Sequence, residues 1–187
     1  MQRAQINIPQ VDIIYESNYK REAWGDLKPA TDGSAGYDLV ACIDKPITIE
    51  PGQTVLVSAG FRLHIKTPGI AAYLYPRSGK GAGKGLVLAN LTGIIDSDYQ
   101  GIVKIALWNR VDVDVNRMLG LLDDVEPKPE MKHWLQPDVV GKSITIEPGE
   151  AVAQLIFGPI VHPVLNLVES FEEVTARGDG GFGSTKK

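Results

Sequence analysis

The sequence predicts an all-β domain, a jelly-roll-like sandwich or barrel carrying one surface insertion. Three observations point there. Apolar residues fall in short runs rich in β-branched side chains and closed by turn residues. A nine-residue segment, Ile47-Thr48-Ile49-Glu50-Pro51-Gly52-Gln53-Thr54-Val55, recurs as Ile144-Thr145-Ile146-Glu147-Pro148-Gly149-Glu150-Ala151-Val152. Outside residues 111–140, no long stretch repeats with the 3.6-residue period of an amphipathic helix.

The strands follow in order. Residues 47–49, 55–57, 61–65, 71–75, 102–108 and 152–157 read as strands. In the third, Phe61, Leu63 and Ile65 alternate with Arg62, His64 and Lys66, which places one face inward. Each copy of the repeat carries Pro-Gly between two extended runs. This suits a type II turn, with glycine supplying positive φ at its third position. Two such corners predict internal pseudo-symmetry of a sandwich or jelly roll.

Residues 111–140 read differently. They hold seven acids and three bases, so this segment carries the whole net charge of −4 and the remainder sums to zero. With Pro127, Pro129 and Pro137 it reads as a surface insertion, with a short helix near 116–125 followed by a loop. Residues 79–85 and 177–183 each take four of the 20 glycines. Such density suits either backbone that approaches a ligand closely or a flexible loop and a frayed tail.

A chain of 187 residues, 43% apolar and 22% charged, is long and apolar enough for a single cored domain, not a disordered or collagen-like one. No apolar run reaches the length that spans a bilayer, and the N-terminus lacks a signal-peptide core. The charge argues against stable, charge-driven nucleic-acid binding. Cys42 is the only cysteine, so no intrachain disulfide forms. The expected location is the cytoplasm, or the host cell interior for a viral source.

Familiar catalytic patterns fail on context. Gly178-Asp179-Gly180-Gly181-Phe182-Gly183 has the dinucleotide spacing, but no helix can follow so near the end. Residues 78–85 break the phosphate-loop pattern at Ser78 and Gly85. The histidines are too scattered for zinc, and no spacing supports a serine triad. Carboxylates with a hard metal are the better chemistry. Asp96 and Asp98 read either as paired carboxylates on one strand face or as a solvated turn.

The order of motifs resembles the trimeric deoxyuridine triphosphatase family. Five blocks match: Ser34-Ala35-Gly36-Tyr37-Asp38-Leu39; Pro76-Arg77-Ser78-Gly79; Asn90 through Gly93-Ile94-Ile95-Asp96 to Tyr99-Gln100-Gly101; Gly149-Glu150 to Ala153-Gln154-Leu155; and Arg177-Gly178-Asp179-Gly180-Gly181-Phe182-Gly183-Ser184-Thr185. The resemblance covers residues 27–109 and 142–185.

The resemblance implies a homotrimer of β jelly rolls that hydrolyses dUTP to dUMP and pyrophosphate at subunit interfaces. Such an activity keeps uracil out of DNA and supplies dUMP for thymidylate synthesis. It also implies roles for residues. Asp96 would activate a water for attack on the α-phosphorus, with Arg77 paired to it or near it and the phosphates. Asp38 would hold Mg²⁺ through water. Ser78, Gly79 and Gln154 would meet the phosphate chain. Asn90 and the backbone from Gly93 through Ile95 would read uracil, and Tyr99 would lie against the deoxyribose.

Residues 1–175 would form the β domain and 176–187 a mobile arm closing over the site. On that arm Phe182 would stack on the base. Arg177, Ser184 and Thr185 would bind the terminal phosphates, and Gly183 is among the substrate-binding residues. Two positions depart from the family pattern: Ala151 stands where a basic residue is common, and Lys186 where glycine is. The glycine content of residues 80–85 predicts a mobile loop. The acidity of residues 111–140 suggests a protein partner there. The alternatives are a dCTP deaminase-like enzyme of the same superfamily, or a relative with an added protein-binding regulatory role through the insertion.

Overall fold

The computed structural model of the chain describes residues 9–111 and 141–180. Ten strands and two short helices are formed there. They are β1 (Asp12–Tyr15), α1 (Arg21–Trp24), β2 (Tyr37–Val40), β3 (Ile47–Ile49), β4 (Thr54–His64), β5 (Ile70–Pro76), α2 (Ser78–Lys84), β6 (Leu86–Leu88), β7 (Gly93–Ile95), β8 (Ile102–Asn109), β9 (Ile144–Ile146) and β10 (Ala151–Pro159). One sheet has the order β1-β4-β8-β6 and another β2-β10-β5-β7, while β3 and β9 pair with each other. Every pairing between these strands is antiparallel. The all-β expectation holds.

Alternation builds the core between the two larger sheets. Val103, Ile105 and Leu107 of β8 are buried, with Lys104 exposed between them. They join Phe61 and Leu63 of β4, Leu74 of β5 and Leu155 of β10 in one cluster. The expected runs 55–57 and 61–65 belong to one strand, β4, whose pairing with β8 shifts register between Ser58 and Arg62. A local irregularity of this kind bends a strand without ending it.

The repeat has a structural meaning that differs from two hairpins. β3 pairs with β9, not with β4, in the register Ile47 to Ile146, Thr48 to Thr145 and Ile49 to Ile144. The threonine hydroxyls at the centre lie 3.1 Å apart. Each copy then turns away into a different large sheet, one into β4 and the other into β10. The turns match in detail. Gln53 N–H donates to Glu50 C=O at 2.9 Å, and Glu150 N–H to Glu147 C=O at 3.0 Å. Gly52 and Gly149 take φ of 77° and 78°, the region that favours glycine. The repeat is thus a local two-fold that feeds one chain into two sheets.

Residues 80–85, expected as a mobile loop, belong instead to α2 and its cap. Arg77 is extended at the N-cap and Gly85 left-handed at the C-cap. Glycine costs about 1 kcal/mol in a helix relative to alanine, so tertiary contacts must hold the turn. Buried Gly81 packs against Pro76 and Val87, and Arg110 donates from Nη2 to its carbonyl at 3.2 Å.

The insertion leaves the domain at a buried polar post. Asn109 is fully buried and donates from Nδ2 to Ile49 C=O at 3.0 Å and Lys142 C=O at 3.1 Å. Its Oδ1 accepts from Val111 N–H at 3.2 Å. Both roots of the insertion are therefore tied to one side chain. The helix expected near 116–125 and the partner surface lie outside the described residues. Among the described residues no helix is long and apolar enough to cross a membrane.

Candidate active site

Three of the sequence blocks meet at one end of the sheet β2-β10-β5. Gln154 of β10 lies directly between Asp38 of β2 and Tyr75 of β5. Side chains directly opposite on adjacent strands share a face. Gln154 donates from Nε2 to Pro76 C=O at 2.9 Å. Arg77 follows β5 at this end. Its Nε lies 2.9 Å from Asp38 Oδ1, and its Nη1 donates to Ala151 C=O at 3.2 Å. The guanidinium thus joins the first, second and fourth blocks.

Beyond Arg77, Ser78 and Gly79 open α2 and line a pocket of about 220 Å³ with Lys80 and Lys84. Lys80 forms an ion pair with Glu150. Burial, then the like charges of Lys84 and Arg77, push the Lys80 ammonium below its usual range. The Glu150 carboxylate in contact works the other way. An incoming anion would relieve this crowding of cations.

The third block builds a second cleft, of about 270 Å³, lined by Asn90, Gly93, Ile95, Asp96, Tyr99 and Lys104 among others. Among the described residues β7 is an edge strand, bonded to β5 on one side only. An edge strand leaves backbone donors and acceptors free to pair with something else. Tyr99 lies down against its own loop, its hydroxyl donating to Ile102 C=O at 3.0 Å. Gly101 makes this arrangement fit, since a Cβ there would run into the tyrosine ring. Of the two readings of Asp96 and Asp98, the turn is the one formed. β7 ends at Ile95, and Tyr99 N–H donates back to Asp96 C=O at 3.2 Å.

The expected proximity of Arg77 and Asp96 is not met within one chain. Ile95 pairs with Ala72, so Asp96 sits beside Ala71, six residues along β5 from Arg77. At the rise of an extended strand that separation is about 20 Å. Arg77 pairs with Asp38 instead.

In the fifth block, Arg177 is exposed on a turn and donates from Nε to Gly180 C=O at 2.9 Å. Phe182, Gly183, Ser184 and Thr185 lie outside the described residues, as does Lys186. The segment leading there forms no helix or strand between residues 160 and 180 and leaves Val164, Leu165, Leu167 and Phe171 almost fully exposed.

A metal fits Asp38 in one manner only. Among the described residues no three His, Cys, Asp or Glu side chains gather to hold an ion directly. Asp38 is a half-exposed carboxylate paired with Arg77, which lines the pocket at Ser78. That matches Mg²⁺, which keeps several waters and takes few protein ligands.

Sequence reasoning gave no role to Lys80 or Glu150. The four-residue spacing of Lys80 and Lys84 is a signal only once residues 78–84 are known to be helical.

A family model described as dUTPase matches residues 22–119 and 139–186. Its break, at 120–138, falls inside the segment read as an insertion. The deoxyuridine 5'-triphosphate nucleotidohydrolase of Idiomarina loihiensis is 45% identical over 154 residues, 82% of each chain. That of Paraburkholderia phymatum is 44% identical over 158 residues, 84% of this chain and 86% of its own. A solved structure of the Staphylococcus bacteriophage 80alpha dUTPase with dUpNHpp matches at a TM-score of 0.71 and 27% identity. It covers 95% of this chain and 99% of that one. The chain belongs to the dUTPase family.

Proposed function

We propose that this protein hydrolyses dUTP to dUMP and pyrophosphate, with Asp96 as the general base and Arg77 as the cation on the phosphates. The observation that carries the reading is the meeting of Asp38, Arg77 and Gln154 beside the cationic pocket at Ser78, in a chain of this family. The named relatives are nucleotidohydrolases, so a dCTP deaminase is not favoured.

Uracil is read at the free edge of β7. Its imide edge presents acceptor, donor, acceptor, which alternating backbone N–H and C=O groups complement. Cytosine exchanges two of these positions and leaves buried polar groups unpaired, which is costly. Asn90 adds a side-chain contact at the end of the strand. Tyr99, whose hydroxyl is bonded to Ile102 C=O, is the side chain assigned to the deoxyribose, where it would leave no room for a 2′-hydroxyl.

Asp96 orients a water and accepts its proton as the oxygen attacks the α-phosphorus. Charge then grows on the leaving pyrophosphate. Arg77, Gln154 and the backbone of Ser78 and Gly79 stabilise it. Asp38 would hold Mg²⁺ through water, and the ion would supply further neutralisation of the phosphates. On the arm of residues 176–187, Phe182 covers the base, and Arg177, Ser184 and Thr185 reach the terminal phosphates, excluding water.

A single chain cannot bring Asp96 and Arg77 to one phosphorus across about 20 Å of strand β5. Each site is therefore shared between copies of a homotrimer. The exposed apolar run at Val164, Leu165, Leu167 and Phe171 gives the copies a surface to bury. The reaction belongs in the cytoplasm, where deoxynucleotides are made. The acidity of residues 111–140 supports a protein partner there, separate from the chemistry.

Two experiments test the reading. Hydrolysis in ¹⁸O-water labels dUMP, not pyrophosphate, if attack is at the α-phosphorus. Mixing inactive Asp96→Asn and Arg77→Met proteins under subunit exchange should restore about a quarter of the sites, since complete sites form only between unlike copies. Label in pyrophosphate, or no regained activity between two folded trimers, would sink the corresponding part.

A further inference from the structure

We infer that Lys80 is a further substrate-binding residue, a cation beside Arg77 for the β- and γ-phosphates, which compete with Glu150 for it. This rests on the proposed function and deepens it.

Lys80 lines the same pocket as Arg77, Ser78, Gly79 and Lys84. Its side chain is only 14% exposed. Burying an ammonium is costly unless it is paired, and Glu150 supplies the partner. Four residues along α2, Lys84 shares its face. The pocket therefore gathers three cations, Arg77, Lys80 and Lys84, against two carboxylates, Asp38 and Glu150. One positive charge is left over before any nucleotide arrives. The low position of the Lys80 ammonium, set by burial and by Lys84 and Arg77, has the same meaning: its charge gains from an anion.

Glu150 stands in the turn directly before β10, next to Ala151, whose carbonyl accepts from Arg77. One short turn thus contacts both cations. Lys80 lies beyond Ser78 and Gly79 along the chain from Arg77, so it suits the distal phosphates and not the α-phosphate. The competing account is that the ion pair merely tethers α2 to the turn before β10.

Product inhibition separates the two. Inhibition of dUTP turnover by inorganic pyrophosphate and by dUMP is measured for the unaltered protein, Lys80→Met, Lys80→Arg and Glu150→Gln. Lys80→Met should weaken pyrophosphate inhibition about 10-fold, the loss of one charge-assisted contact, and leave dUMP inhibition within about twofold. Lys80→Arg should retain pyrophosphate inhibition, and Glu150→Gln should strengthen it by removing the competing carboxylate. A tether alone would shift both inhibitors together or neither, and either result overturns the inference. Where Lys80→Met fails to fold, Glu150→Gln decides, since unchanged or weakened pyrophosphate inhibition overturns it as well. An unaltered protein that releases no pyrophosphate from dUTP would overturn the proposed function instead. Calorimetric binding of pyrophosphate to the unaltered and Lys80→Arg proteins, compared with Glu150→Gln, then tests Lys80 by itself, with the same expected order.

Discussion

Arg77→Met separates what Arg77 does for the fold from what it does for the reaction. The ion pair with Asp38 joins side chains 37% and 44% exposed, so solvent screening leaves it under about 1 kcal/mol. The bond from Nη1 to Ala151 C=O is 3.2 Å long and contributes about 1 kcal/mol more. A total of about 1–2 kcal/mol lowers Tm by roughly 2–8 °C in a chain of this size. The catalytic loss is of another order. Removing a group that stabilises charge only as the transition state forms costs about 3–4 kcal/mol, or 10²–10³ in kcat. Pyrophosphate release at saturating dUTP and Mg²⁺, measured beside a thermal melt, reads both quantities. A kcat within tenfold of the unaltered protein would refute the role of Arg77. A Tm lower by more than about 15 °C would show that its main work is structural.

Three further outcomes are expected. Truncation before Ala176 should remove most activity yet move Tm by no more than a few degrees, because the buried cluster among the described residues ends at Leu155; a collapsed melt would contradict the two-part division. Asn109→Ala should cost about 2–4 kcal/mol, since it strands two carbonyls and an N–H in a buried site, and urea titration at pH 7 reads this as a lower midpoint with unchanged slope. Stability should fall as pH rises past the ordinary thiol range. The Cys42 thiol is held above its usual range by burial first and by the charges of Asp44 and Glu16 next; the Tyr19 phenol is raised by burial first, then by Tyr15 and Asp26. Groups raised in the folded state keep their protons longer there than when unfolded, so their contribution is complete below the unfolded range and is lost above it. A urea midpoint that climbs between pH 8 and pH 10 would contradict this.

The legible part of the fold was what short-range patterning encodes. Alternation at Phe61, Leu63 and Ile65 marked a half-buried strand, and Pro-Gly marked both turns. What joined β3 to β9 was invisible, because identical Ile-Thr-Ile runs pair equally well on paper with several partners, and only the closed sandwich selects one. α2 was hidden for a different reason. Gly79, Gly81 and Gly83 carry poor helix propensity, and the bond from Arg110 that helps to override it comes from 29 residues further along the chain. In the site, the residue types and their order were readable, and Asp38, Gln154 and Arg77 do meet. The partner of Arg77 was not readable, because which carboxylate it reaches depends on strand register along β5. The pairing of Lys80 with Glu150, itself part of the fourth block, was not readable because it needs both the helix and the Pro148-Gly149 turn.

The central claim is tested most directly by pyrophosphate release from dUTP, dCTP, dTTP and UTP with Mg²⁺, for the unaltered protein and Asp96→Asn. The account predicts release from dUTP far above the other three. It also predicts a loss of about 10²–10⁴ in kcat for Asp96→Asn, with dUTP binding largely kept. Comparable release from dCTP or UTP, or near-normal turnover by Asp96→Asn, would contradict it.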